Sequence, residues 1–292
     1  MSNITYHFSG DDPAVQREAV DLLARCFGVW AERREIFKGR FPFREQSFVA
    51  RNRTGELVGH LGIIPFEIQT GNDSTVAAAG VASVAVAPEY RKCGIAGMLC
   101  QTASTWAESF GFSAMPLYTS AFRVYEKNGW KLSAHNGCLM QIPAELPTDT
   151  PWKCGEELSE KEQETVIALY QKCRNIAGWV VRTFDDYDAV SWQRLFGKTN
   201  CRWQIFDSGY ALSVDGVIAE ICGDIPDNLC GAEQAFLAAD DPRCAGLKRY
   251  NWKDISGNYP LPPGWEGEAV MNKVFSDNQV WEKVFFPLAH KF

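Results

Sequence analysis

The chain has 292 residues, 46% of them hydrophobic and 22% charged, with a formal net charge of −7 and a pI near 5.3. That composition excludes disordered, collagen-like and coiled-coil chains, and the acidic balance argues against a nucleic-acid partner held through a general basic surface. The length suits about two domains. The charge is uneven: residues 1–145 carry 14 basic and 14 acidic side chains, so the whole surplus of acids falls in residues 146–292.

In chain order, Ile4 to Phe8 reads as a short strand. Asp12 and Pro13 then open a helix over Val15 to Phe27, as a cap and a first-turn proline do. A more charged helix is expected over Ala31 to Lys38. Ser47 to Ala50 begins a strand, Arg53 to Glu56 is a turn, and Leu57 to Gln69 is a long strand. Val76 to Val86 is small, apolar and uninterrupted, as in a central strand buried on both faces. Gly94 to Phe110 follows with helical spacing, then a strand at Ala114 to Tyr118, a short helix over Ser120 to Asn128 and a strand over Lys131 to Ile142. The alternation specifies a mixed α/β domain over residues 1–145. Pro143, Pro147 and Pro151 punctuate a linker.

The second half is less regular. Ser159 and Glu162 form a capping-box pattern before a helix running to Ile176. A second helix is expected over Asp185 to Phe196, with strands at Cys201–Phe206, Tyr210–Val214, Val217–Ile221 and Glu233–Leu237. Ten cysteines are scattered without CxxC pairs or Cys/His clusters at metal spacing, so no metal is expected. The N-terminus lacks the pattern of a signal peptide, and no apolar run reaches membrane-spanning length. These features point to a cytoplasmic protein with free thiols and no membrane partner.

One stretch carries chemistry. The strand ending at Val86 runs through Ala87–Pro88–Glu89–Tyr90 into Arg91-Lys92-Cys93-Gly94-Ile95-Ala96, where a helix opens. A helix start presents unpaired N–H groups, and Arg91 and Lys92 add positive charge. Gly94 admits close approach of a ligand backbone, and Ala96 keeps the next turn small. A phosphate-bearing ligand is the physical inference. This loop resembles the Arg/Gln-x-x-Gly-x-Gly/Ala cofactor loop of the GNAT superfamily of N-acetyltransferases. The later segment Leu117-Tyr-Thr-Ser-Ala-Phe-Arg-Val-Tyr-Glu-Lys-Asn-Gly-Trp130 is similar to the family's Tyr-x-x-x-Gly-Phe ending, with Tyr125, Gly129 and Trp130.

The resemblance implies a GNAT fold with a splayed central sheet and acetyl-CoA as co-substrate. Val84, Ala85 and Val86 would hold the pantetheine and polarise the acetyl carbonyl. Amides of Arg91, Lys92, Cys93, Gly94, Ile95 and Ala96 would hold the pyrophosphate. Tyr125 would protonate the leaving thiolate, and Ser120 would cap its helix or touch CoA. Cys93 has no partner histidine in sequence and is not expected to be a nucleophile. The strand Val76–Val86 carries no acid, so the base must be sought elsewhere. Glu67 and His60 on the preceding strand, a water chain, or the C-terminal carboxylate at Phe292 are the candidates.

Residues 146–292 form a second, smaller α/β domain, compatible with the degenerate GNAT-like domain of enhanced-intracellular-survival-type acetyltransferases. Ala168-Leu-Tyr-Gln-Lys-Cys-Arg-Asn-Ile-Ala-Gly-Trp, with Arg182 and Trp192-Gln-Arg, carries that resemblance. Its expected role is a wall or lid over the acceptor site, its acids steering a small cationic amine or a lysine side chain. Trp152, Trp179, Trp192 and Trp203 line a cleft or pack in the core. The alternative to an enzyme is an inactive acyl-CoA sensor or interaction module. A homo-oligomer is compatible with the chain.

Overall fold

The computed structural model describes residues 4–28, 41, 44–70, 74–133, 137–141, 150–172, 178–225, 234–238, 248–252, 269–275 and 281. The helix expected over Ala31 to Lys38 and the terminal carboxylate at Phe292 lie outside them.

The first half begins with β1 (Thr5–Gly10) and α1 (Pro13–Cys26), the helix opened by Asp12, whose carboxylate accepts the Ala14 amide at 2.8 Å. β2 (Gln46–Arg51), β3 (Leu57–Gln69) and β4 (Thr75–Val86) follow. A short turn of 3₁₀ helix at Pro88–Tyr90 leads into α2 (Ile95–Ser109), then β5 (Ala114–Thr119), α3 (Phe122–Glu126) and β6 (Lys131–Leu132).

The strand expected over Lys131 to Ile142 is two strands. β6 is the first, and β7 (Gly137–Gln141) pairs elsewhere. The second half contains β8 (Lys153–Cys154), α4 (Glu160–Lys172), α5 (Trp192–Phe196), β9 (Cys201–Ile205), β10 (Gly209–Val214), β11 (Val217–Gly223), β12 (Gln234–Ala238), β13 (Lys248–Trp252) and β14 (Ala269–Val274).

The capping box is formed, Glu162 accepting the Ser159 amide at 2.9 Å while its own amide donates to Ser159 Oγ at 3.3 Å. The helix expected from Asp185 is reduced to α5. Asp185 Oδ1 takes the Tyr187 amide at 2.9 Å, and that local bond holds the chain in a turn instead.

Two mixed sheets result, with strand orders β1-β2-β3-β4-β5-β14-β6 and β13-β7-β12-β11-β10-β9-β8. Two strands therefore cross the line drawn at residue 145: β7 enters the second sheet, and β14 enters the first between β5 and β6.

On one face of the first sheet, α1 and α2 cover Phe48, Leu61, Ile63, Val81 and Ala85. The other face holds Ile64, Phe66, Ile68 and Ala78 against Val180, Val270 and Trp281 from the second half. β2 ends its pairing at Ile63, and the segment around Val180 takes the vacated edge of β3, with Val181 N donating to the Glu67 carbonyl at 2.8 Å.

The second sheet has its own core. Trp179, Trp192 and Trp203 are buried in it and do not line a cleft. At its centre the Arg182 side chain, only 4% exposed, meets Glu220 at 2.6 Å and lies over the rings of Tyr170 and Trp192. Tyr210 donates to the same carboxylate. Cys26, Cys93, Cys100, Cys154 and Cys201 are free thiols. Cys222 is disulfide-bonded, against the expectation of free thiols throughout.

Candidate active site

Two irregularities in the first sheet shape the site. β4 and β5 run parallel and pair at Ala78↔Ala114; among the described residues they pair nowhere else. β4 continues to Val86 and β5 to Thr119, so a wedge opens between them. The second irregularity is in β4 itself. His60 faces Ala85 and Gly62 faces Ala82, so Leu61 alone opposes Ser83 and Val84. This is a β-bulge, with Ser83 at φ +53°. Bulges re-aim the residues beside them; here those are Val84, Ala85 and Val86, on the strand that borders the wedge.

The loop leaving β4 carries unpaired backbone amides. Lys92 has φ +64° and Gly94 φ +81°, an alternation that turns successive N–H groups to one side. Among the described residues, the amides of Lys92, Cys93 and Gly94 donate to no loop or turn carbonyl. α2 begins at Ile95, so the amides of Ile95 and Ala96 belong to its unpaired first turn. Arg91, Lys92, Cys93 and Gly94 are all exposed. A β-carbon at Gly94 would meet open space, so its glycine answers to the positive φ. Arg91 Nε donates to the Val86 carbonyl at 3.2 Å, tying the loop to the strand end. The loop residues named from the sequence thus stand together at the mouth of the wedge.

Tyr125 is on α3, which follows β5. It is 8% exposed and shares the core with Ile95, Leu99 and Cys100 of α2. Its ring meets Trp130 edge-on at 5.9 Å, and Trp130 is anchored by its indole N–H to the Met115 carbonyl at 2.7 Å. Burial, helped by Cys100, raises the phenol well above its ordinary range, so it stays protonated. The Cys100 thiol is itself pushed up to about 12 by burial. Ser120 is exposed; the bond to the α3 entrance comes from Thr119, whose hydroxyl accepts the Ala121 amide at 2.9 Å.

The base candidates separate. Glu67 pairs with Ala77, seven residues before Val84, roughly 23 Å at the rise of a strand. Its carboxylate accepts the Thr75 hydroxyl at 3.1 Å, on an exposed stretch. The structure does not bring it to the bulge. His60 is beside the bulge but fully buried, and burial lowers it to about 4. Its Nδ1 is 2.8 Å from the Ser83 carbonyl, which can only accept, and its Nε2 is 3.1 Å from Ser47 Oγ. Both nitrogens are occupied, so His60 is not placed to take a proton from a substrate.

One residue near the bulge was not singled out by sequence reasoning. Glu45 is fully buried, and burial raises its carboxyl to about 8. The signal that could have found it is glycine inside the apolar strand β3: such a residue marks a close approach.

Among the described residues, no group of three His, Cys, Asp or Glu could hold a metal ion, and no helix is long and apolar enough to cross a membrane.

Residues 14–133 match the family model for the acetyltransferase (GNAT) domain. No curated protein sequence matches the chain significantly. Among solved structures, a GCN5-related N-acetyltransferase from Anabaena variabilis aligns at 17% identity and TM-score 0.61, over 92% of this chain and 73% of its own. One from Kribbella flavida aligns at 15% identity and TM-score 0.60, over 94% and 71%. Eis1 from Mycobacterium abscessus aligns at 15% identity and TM-score 0.60, over 93% and 73%. These likenesses establish the fold across both halves of the chain.

Proposed function

We propose, from the match of residues 14–133 to the acetyltransferase (GNAT) domain model, that the chain moves an acetyl group from acetyl-CoA directly to a primary amine. One observation carries the reading. The free amides of Lys92 to Gly94 open at the mouth of a wedge whose wall is the bulged strand β4.

Amides of Lys92 to Ala96 hold the pyrophosphate, with the charge of Arg91 and Lys92 behind them; the Arg91 amide, expected to join them, donates instead to the Pro88 carbonyl at 3.3 Å. Val84, Ala85 and Val86 line the pantetheine and aim N–H groups at the thioester oxygen, which gains negative charge as the amine attacks. The amine nitrogen bonds to the acetyl carbon, the carbon–sulfur bond breaks, and Tyr125 gives its phenolic proton to the departing sulfur. Water takes the amine proton, since neither Glu67 nor His60 is placed for it. The acetylated amine and CoA thiol leave.

The acceptor is a small cationic molecule or a lysine side chain. The acidic surplus of residues 146–292 supports this, because it draws cations towards the half of the molecule that packs on the far face of β3 and β4. That half is a wall over the acceptor.

The test is thiol release from acetyl-CoA with polyamines, aminoglycosides, amino acids and lysine peptides, alongside calorimetric binding of acetyl-CoA. Turnover with one cationic class supports the reading. Binding without turnover on any amine speaks for a sensor, and no binding overturns the assignment of the loop.

A further inference from the structure

Behind the β4 bulge is a buried polar cluster that acetyl transfer as described does not use. Glu45, Ser47 and His60 are all fully buried. The Glu45 carboxyl occupies the space over Gly62, where a β-carbon would collide with the carboxyl oxygen and carbon. Gly62 is therefore the seat of Glu45. From that seat Glu45 Oε2 accepts the Ser83 hydroxyl at 2.9 Å. The Ser83 carbonyl accepts from His60 Nδ1 at 2.8 Å. The proton on Nδ1 leaves Nε2 of the neutral ring as an acceptor, so the Ser47 hydroxyl donates to it at 3.1 Å. Phe41 is stacked on the imidazole. Arg44, next to Glu45 in the chain, is turned to Asp185 and Asp188. Glu45 Oε1 has no hydrogen-bond partner among the described residues; His60 Nε2 is 3.7 Å away.

Ser83 is thus gripped twice, by its side chain and by its carbonyl, from two buried neighbours. It is also the bulge residue with φ +53°, a conformation that side chains other than glycine seldom adopt. Such a conformation persists where its surroundings over-determine it.

We infer that Glu45 and His60 are positioning residues that clamp Ser83, so that the β4 bulge holds the strand beyond it, Val84 to Val86, in one fixed orientation at the wedge. The inference rests on the acetyl-transfer reading for its purpose, and on the buried cluster for its existence. Neither side chain is exposed to touch a substrate; both act through Ser83.

Hydrogen exchange of residues 81–87 in the full chain without ligand tests the clamp directly. Ser83→Ala and Glu45→Ala should speed exchange there about tenfold while β1 and β2 keep their protection, and Glu45→Gln, which retains an acceptor for Ser83, should restore it. In turnover, Ser83→Ala should lower kcat about tenfold or more with KM for acetyl-CoA within about threefold, and Glu45→Gln should recover most of the kcat lost in Glu45→Ala. Unchanged exchange in Ser83→Ala overturns the clamp. So does Glu45→Gln behaving like Glu45→Ala, which would mean that the carboxyl moves a proton. A wild-type protein that binds no acetyl-CoA overturns the acetyl-transfer reading instead, and the exchange experiment still decides the clamp.

Discussion

Removing the titrating group at Glu45 should change how stability depends on pH. In the folded chain the Glu45 carboxyl stays neutral up to about 8, against an ordinary 4.5, and the His60 imidazole falls from 6.5 to about 4. Burial is the main cause of both. Unfolding returns each to its ordinary value. Between pH 4.5 and 8 the folded chain holds a proton on Glu45 that the unfolded chain has lost. Glu45 therefore contributes stability that is complete below 4.5 and lost as pH rises to about 8, roughly 5 kcal/mol at most. His60 runs the other way: its contribution is complete above 6.5 and lost as pH falls to about 4, roughly 3 kcal/mol. The two slopes cancel between 4.5 and 6.5, leaving Glu45 alone above that, with roughly 2 kcal/mol lost by pH 8. Urea unfolding of the wild type and Glu45→Gln between pH 5 and 8.5 measures this. The variant should lack the decline above pH 6.5, so its stability relative to wild type should rise by roughly 2 kcal/mol across that window. Parallel curves through pH 8 would refute the reasoning, because the folded Glu45–His60 pair would then hold no proton that the unfolded chain has lost.

Three further outcomes are expected. Tyr125→Phe should lower kcat roughly 100-fold or more while leaving acetyl-CoA affinity within about threefold; calorimetry beside steady-state kinetics checks it, and equal loss of both would remove the acid role. Gly94→Glu places a carboxylate in the open space at the anion loop and a side chain at φ +81°. It should abolish measurable acetyl-CoA binding with a stability cost of about 1–2 kcal/mol and unchanged far-UV circular dichroism, and unaltered affinity would remove the loop assignment. Glu220→Ala leaves the Arg182 guanidinium buried without its carboxylate, so the melting temperature should fall by about 10 °C, from a loss of about 3–5 kcal/mol. A loss below about 1 kcal/mol would mean that water reaches that core.

The elements of the first half were legible where local signals agree with packing. The bounds read for β3, Leu57 to Gln69, are those observed, because its apolar run is long and has a turn at each end. α2 and the loop before it follow from Gly94 and the change of period. The bulge was not legible. Nothing in Val-Ala-Ser-Val-Ala-Val distinguishes Ser83 from its neighbours; its conformation is imposed by Glu45 and His60, which are distant in sequence. Glu45 in turn looks like any charge near a strand start, and only Gly62 hints at a side chain seated over the sheet. His60 is on β3 as expected, but its nitrogens are already bonded to groups from β2 and β4, which the sequence does not reveal. The strands β13 and β14 were missed because their partners, β7 and β5, are more than a hundred residues earlier in the chain.

The place of β14 between β5 and β6 bears on how the protein is made. Roughly 150 residues separate the end of β5 from the start of β14, and ribosomes add about 5–20 residues each second. For roughly 8 to 30 seconds of synthesis the nascent first sheet therefore has β5 as a bare edge, able to pair with a neighbouring chain. The first sheet cannot close while its own half is being translated; it waits for a strand about 150 residues further along the chain. A premature stop before residue 269 would release not a smaller folded protein but a sheet with an open edge, and therefore a substrate for chaperones and proteases.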